Sequence, residues 1–200
     1  MVPGRETLSE CPECRGNPDF VLDCIECDGL GVLVGQQQPR TIDPDNNPRL
    51  ETLREHLILH NDPVIVWSRF TNDIEDILRL GKDLQRNPVR YDGKTSVEDK
   101  TYAKEHFQKG GSGLFVANQK AAGRGLRLSA AKAHYFYSNL HALLVREQCE
   151  DRTEDVNQTH STTIIDIIAN DTVDEVIIDT LRQKRRLSEV VMQENRGLWL

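Results

Sequence analysis

Leu114-Phe-Val-Ala117 and Lys132-Ala-His-Tyr-Phe-Tyr137 are short runs rich in apolar and aromatic residues, joined by Asn118-Gln-Lys-Ala-Ala-Gly-Arg-Gly-Leu-Arg-Leu128. Neither run alternates cleanly between apolar and polar residues, so each reads as a strand buried on both faces. Pro63-Val-Ile-Val-Trp67 is a third run of this kind, and Val89–Tyr91 is a shorter strand ending at Asp92-Gly93. Helical spacing fills the gaps between them. Leu50, Leu53, Leu57 and Ile58 give a helix of about ten residues, and Ile74, Ile77, Leu78 and Leu84 give a second. Ser96, with Asp99 three residues on, opens a third that runs to about Phe107. Residues 141–154 read as helix, 162–168 as strand and 173–191 as a long closing helix. Short apolar strands alternating with helices predict an α/β fold, a parallel sheet covered by helices on both faces. In such sheets ligands sit at the carboxyl ends of the strands, which directs attention to the loops after Trp67, Tyr91, Ala117 and Tyr137.

Composition bounds the rest. At 200 residues, with 38% hydrophobic and 28% charged side chains, the chain can hold one domain with a full core, or a standard domain plus a mini-domain. No apolar run approaches the ~20 residues that span a bilayer, and MVPGRETLSE at the start lacks the apolar stretch of an export signal. The expected compartment is the cytoplasm, the host's if the source is viral. A net charge of −7 argues against a strong stand-alone DNA binder but permits a few phosphate contacts within a composite groove.

Cys11-Pro-Glu-Cys14 and Cys24-Ile-Glu-Cys27 lie nine residues apart. A CxxC turn holds two thiolates about 3.5–4 Å apart, suiting two corners of a Zn²⁺ tetrahedron. Two such turns make a closed structural site of four thiolates, so residues 1–34 read as a zinc module resembling short zinc ribbons and the cysteine-rich repeats of DnaJ-type chaperones. The alternative is two incidental pairs of buried or oxidised cysteines. Gly35-Gln-Gln-Gln-Pro-Arg40 and Asp43-Pro-Asp-Asn-Asn-Pro48 mark residues 35–48 as a linker, with the α/β domain over 49–200.

Gly93-Lys-Thr-Ser96 is not a nucleotide loop. A P-loop needs a glycine five positions before its second glycine, and that position is Pro88, which lacks an N–H. No Asp-Glu pair ends an apolar strand to hold Mg²⁺. The chain lacks the parts that bind and orient ATP by itself.

Several segments resemble, in order, the second RecA-like lobe of superfamily 2 helicases, most closely the Swi/Snf-like DNA translocases, over residues 48–192. Val64-Ile-Val-Trp-Ser-Arg-Phe70 is similar to motif IV, and Tyr91-Asp-Gly-Lys-Thr-Ser96 to the strand-end motif that follows. The segment 114–128 with Ala130-Ala131 resembles motif V. Gln148-Cys-Glu-Asp-Arg152 resembles the opening of motif VI, and Asp171-Thr-Val-Asp-Glu175 with Lys184 the closing helix.

The resemblance implies two lobes closing over ATP and DNA, the first holding P-loop and Mg²⁺ and the second supplying positive charge to the γ-phosphate. It assigns Arg152 the ATP-facing charge, Gln148 a place beside it, and Gly123 and Gly125 a close backbone approach to nucleotide. Ser68, Arg69, Lys94, Thr95, Asn118 and Gln119 fall on the expected DNA track, where short donors and cations suit sequence-independent phosphate contacts. One departure stands out: motif VI ends in a second arginine, but position 155 is Asp, which would repel phosphate. Arg146 is a candidate to supply the missing charge. Cys149 and His134 read as packing residues, and the basic run Arg182 to Arg186 as a solvated face or a brace. The partners expected are therefore DNA and a separately encoded first lobe, a split replication or repair motor of a kind that suits phage-like compact genomes. The alternatives are a non-catalytic zinc-containing module that binds DNA or protein, and a fragment of one longer motor.

Overall fold

The computed structural model describes residues 6–10, 32–36, 46–121, 126–153 and 161–196. The chain separates into two compact units, Met1–Asn46 and Asn47–Leu200. In the first unit, β1 (Glu6–Glu10) pairs antiparallel with β2 (Val32–Gln36), Glu6 opposite Gln36 and Glu10 opposite Val32. That pairing joins the two ends of segment 11–31. Cys11, Cys14, Cys24 and Cys27 fall in this segment, outside the described residues.

The second unit runs α1 (Pro48–Leu59), β3 (Val64–Ser68), α2 (Thr71–Asp83), β4 (Val89–Tyr91), α3 (Val97–Gln108), β5 (Leu114–Asn118), β6 (Ala133–Phe136), α4 (Leu143–Glu150), β7 (Thr163–Asp166) and α5 (Val173–Arg196). Five strands form one parallel sheet in the order β4-β5-β3-β6-β7. Pro48, expected at the end of a linker, is instead the first residue of α1. Its missing N–H costs nothing at that position, and the Asn47 side chain caps the helix by accepting from the Arg49 and Leu50 amides. Ser96 caps α3 in the same way through the Asp99 amide.

The helix expected over 141–154 is shorter. It spans Leu143–Glu150 and then tightens into a 3₁₀ turn, Asp151–Thr153. The reason is local: the Thr153 hydroxyl donates to the Glu150 carbonyl at 3.4 Å, satisfying a terminal acceptor that another helical turn would otherwise need to reach.

Side chains alternate faces along the strands, and the core divides accordingly. Ile65, Trp67, Phe115, Ala117 and Phe136 pack on one face with Ala103 and Phe107 of α3 and Cys149 of α4. Val64, Val66, Leu114, Val116 and Tyr135 pack on the other with Leu53 and Leu57 of α1 and Ile74, Ile77 and Leu80 of α2. All five residues of β3 are buried, as expected for a central strand of a sheet covered on both sides. Gly81 leaves little room in this packing: a Cβ there would lie 2.6 Å from Leu114 Cδ2, so that buried side chain would have to shift.

Candidate functional site

Three of the residues assigned to the DNA track, Ser68, Arg69 and Asn118, come together at the carboxyl ends of β3 and β5. Asn118 Nδ2 donates to the Arg69 carbonyl at 3.0 Å, and Asn118 Oδ1 accepts from the Lys120 amide at 3.0 Å. Arg69 is exposed, with its guanidinium over the Phe70 ring. Ser68 and Gln119, by contrast, are buried, at 0% and 3% exposed, so neither offers a side chain to a phosphate. Asp73 explains Ser68: its carboxylate accepts from Ser68 Oγ at 2.8 Å and Ser138 Oγ at 2.9 Å, while Ser138 Oγ accepts from the Arg69 amide at 2.9 Å. Gln119 spans the loop after β6, donating from Nε2 to the Ser138 carbonyl at 3.0 Å and accepting at Oε1 from the Leu140 amide at 3.1 Å. Both residues hold the loops whose neighbours are exposed.

Lys94 and Thr95 sit on a separate turn after β4, organised by buried Asp92. Its Oδ1 accepts from the Lys94 amide at 2.9 Å, the Thr95 amide at 3.1 Å and the Thr95 hydroxyl at 3.0 Å, while Oδ2 takes Arg90. Burial works to raise the Asp92 carboxyl, but Arg90, Thr95 and the Lys94 amide together hold it below the usual carboxylate range. The turn therefore carries a fixed anion that leaves Lys94 exposed on a rigid base.

Arg152 lies in the 3₁₀ turn after α4, one helical turn beyond half-buried Gln148. Its main-chain carbonyl accepts from the Leu128 amide at 2.7 Å. Its guanidinium is loosely held: Nη1 reaches the Leu126 carbonyl at 3.5 Å, and buried Nε has no partner among the described residues. A buried N–H without an acceptor costs about 1–3 kcal/mol, so the position carries a local stability cost. Gly123, Gly125 and Asp155 lie outside the described residues.

Arg146 cannot supply the missing charge. It is 6% exposed, donates to Asp166, Asn139 and Glu150, and lies 3.3 Å over the Phe136 ring centre. Its donors are committed to fixing α4 against β7, and Arg185 of α5 joins through Glu150 at 2.7 Å. The basic run is thus partly a brace: Lys184 donates to the His141 carbonyl at 2.9 Å. Sequence reasoning missed Asp73, Ser138 and Asp166. Their one signal was position at the end of a strand or the start of the next helix, which many solvated residues share.

His134 is fully buried between Trp67 Nε1, at 2.9 Å from Nδ1, and Thr153 Oγ1, at 2.9 Å from Nε2. Burial, and secondarily Arg146, lowers its pKa to about 4. Burial also pushes the Cys149 thiol up to about 12, which makes it an inert packing residue. The histidine shift sets a pH dependence. Between about 6.5 and 4 the unfolded chain binds a proton that the folded chain does not. Stability is therefore fully present above about 6.5 and falls as pH drops toward 4, by roughly 2–3 kcal/mol. Urea unfolding at pH 7 and pH 4.5 is expected to show this loss, and His134→Asn to diminish it.

Comparison with known proteins bears on the family and the fold. Residues 48–154 match the family described as the helicase conserved C-terminal domain. The chain is 25% identical to the Xenopus tropicalis SWI/SNF-related matrix-associated actin-dependent regulator of chromatin subfamily A containing DEAD/H box 1, over 95% of this chain and 20% of that protein. It is 30% identical to Helicase SWR1 of Cryptococcus neoformans, over 68% of this chain and 11% of the relative. The crystal structure of the C-terminal part of the Fun30 ATPase domain superposes with a TM-score of 0.64 at 22% identity, over 72% of this chain and 48% of that one. The chain spans a fifth or less of the length of these curated relatives.

Proposed function

Because the chain belongs to the family of the helicase conserved C-terminal domain, we propose that it works as the second lobe of an ATP-dependent DNA translocase or helicase, completed by a separately encoded first lobe. The observation that carries this reading is Arg152, rooted by its main chain and loosely held at its tip. In the closed assembly its guanidinium turns to the γ-phosphate held by the first lobe, where a fixed positive charge lowers the barrier to phosphoryl transfer. Gln148 orients it or touches the phosphate, and Gly123 and Gly125 allow the backbone to approach nucleotide. Mg²⁺ comes with the first lobe and neutralises charge on the phosphates when bound. Arg69, Lys94, Thr95 and Asn118 contact the DNA backbone, with Ser68 and Gln119 holding their loops. The four cysteines of segment 11–31 hold Zn²⁺ in a structural site; thiolate donors in two CxxC pairs fit that ion, and the pairing of β1 with β2 supports closure of the segment.

The test is ATP hydrolysis by this chain alone, by a P-loop-bearing first lobe alone and by their mixture, each with and without duplex DNA. The expected result is turnover in the mixture only, stimulated by DNA. An inert mixture that still binds DNA would establish the non-catalytic module instead, with Asp155 as its cause. Failure to recover any P-loop-bearing lobe in a pull-down would count against the split arrangement. Asp155→Arg restores the motif VI pattern, and turnover in the mixture is expected to rise about tenfold.

A further inference from the structure

We infer that His134 and Thr153 are positioning residues for Arg152, through a directed run of hydrogen bonds that starts at Trp67. Donor chemistry fixes its direction. The indole Nε1–H of Trp67 can only donate, so His134 Nδ1, 2.9 Å away, must be the bare nitrogen. The neutral ring then carries its proton on Nε2 and donates it to Thr153 Oγ1 at 2.9 Å. The Thr153 hydroxyl accepts from the histidine and gives its own proton to the Glu150 carbonyl at the end of α4, which can only accept. Each group fills the one role its neighbour leaves open. Trp67 and His134 are 0% exposed and Thr153 2%, so no water competes for these partners.

The run brackets Arg152: Thr153 follows it directly, and the last acceptor, the Glu150 carbonyl, lies two residues before it. The Arg152 carbonyl is held separately by the Leu128 amide at 2.7 Å. The backbone around Arg152 is therefore tied to β3 through Trp67, to β6 through His134 and to the segment before β6 through Leu128. Among the described residues the guanidinium has one long bond, to the Leu126 carbonyl, and its Nε has no partner. A charge that must reach out of its own fold to a phosphate needs this combination, since a misplaced root forfeits the alignment on which catalysis depends. Thr153 and His134 touch no substrate; they act through Arg152. This role rests on the proposed ATP-facing position of that arginine.

The experiment compares wild type, Thr153→Val and Thr153→Ser in two measurements. Valine keeps the shape and removes the hydroxyl; serine keeps the hydroxyl. In the chain alone, amide hydrogen exchange of Leu128, which reports its bond to the Arg152 carbonyl, is expected to quicken at least tenfold in Thr153→Val. Amides of β3 and β5 should hold their rates, and Thr153→Ser should restore Leu128. An unchanged Leu128 rate overturns the inference whatever the ATPase does. In the mixture with the first lobe, Thr153→Val is expected to lower kcat at least tenfold with KM for ATP within twofold, again rescued by serine. An active wild-type mixture indifferent to Thr153→Val overturns the inference and leaves the motor reading intact. A wild-type mixture without turnover sinks the motor reading and, with it, a catalytic purpose for this geometry. Histidine ¹⁵N shifts supply the remaining arm: His134 found with its proton on Nδ1 also overturns the run.

Discussion

Arg152→Ala is expected to lower ATP turnover of the two-lobe assembly by about 10³-fold or more, the scale of a trans-acting arginine at a γ-phosphate. Its effect on folding should be small. Among the described residues the side chain makes one hydrogen bond at 3.5 Å and its Nε has no partner. Truncation removes an unsatisfied group along with a weak bond, so the stability change should stay within about 1 kcal/mol. Arg152→Lys keeps a charge but not the planar fork, and should recover only part of the loss. Steady-state hydrolysis by the mixture, read beside the urea midpoint of each variant, separates the two quantities. A 10³-fold loss with an unshifted midpoint assigns the residue to chemistry. A variant that unfolds in step with its loss of turnover, or keeps full turnover, would remove Arg152 from the site. DNA binding should not change within twofold in either substitution, because the carboxyl-edge cations are separate residues.

The central strands were legible because Val64 to Trp67 and Leu114 to Ala117 are continuous apolar runs, the pattern of strands buried on both faces. Val89 to Tyr91, interrupted by Arg90 and only partly buried at the sheet edge, was marked mainly by the Asp92-Gly93 turn after it. Helix starts were legible where a cap announced them, as at Ser96, and less so at Pro48, where proline reads equally as linker or as first helical residue. Roles that depend on which loops meet were not legible. Ser68 and Gln119 occupy strand-end positions that elsewhere face solvent, and only the arrival of Asp73 and of the loop after β6 buries them. Arg146 reads from sequence as a spare cation two residues before Gln148, but its three acceptors come from the loop after β6, from α4 and from β7. The Trp67–His134–Thr153 run joins residues 67 and 19 positions apart, beyond the reach of any local pattern.

Arg86 shows the same limit in the opposite part of the fold, and carries the largest stability effect expected here. In sequence it sits in Gln85-Arg-Asn-Pro88, a turn signal that suggests a solvated loop. In the structure it is 6% exposed and its guanidinium donates to the carbonyls of Leu57, His60, Asp62 and Gly113 and to Asn61 Oδ1. Asp62 and Gly113 immediately precede the segments leading into β3 and β5, and Arg86 itself leads into β4. One side chain therefore ties together the amino ends of three adjacent strands and the end of α1. Hydrogen bonds from a cation contribute about 1.5–3 kcal/mol each, most where water cannot substitute. The Leu57 and Gly113 carbonyls meet that condition best, so Arg86→Met should cost about 4 kcal/mol. For a unit of this size that lowers Tm by roughly 8–16 °C. Arg86→Lys offers one point charge to a set of spread acceptors and should recover less than half. Calorimetry of both variants measures the loss; a shift below about 3 °C would mean that solvent replaces these bonds and that the amino edge is held by packing alone. Below its own melting range, Arg86→Met should turn over ATP in the mixture at the wild-type rate. Arg86 and Arg152 share no partner, so the double variant should show each loss in full, with stability set at the amino edge and turnover at the turn after α4.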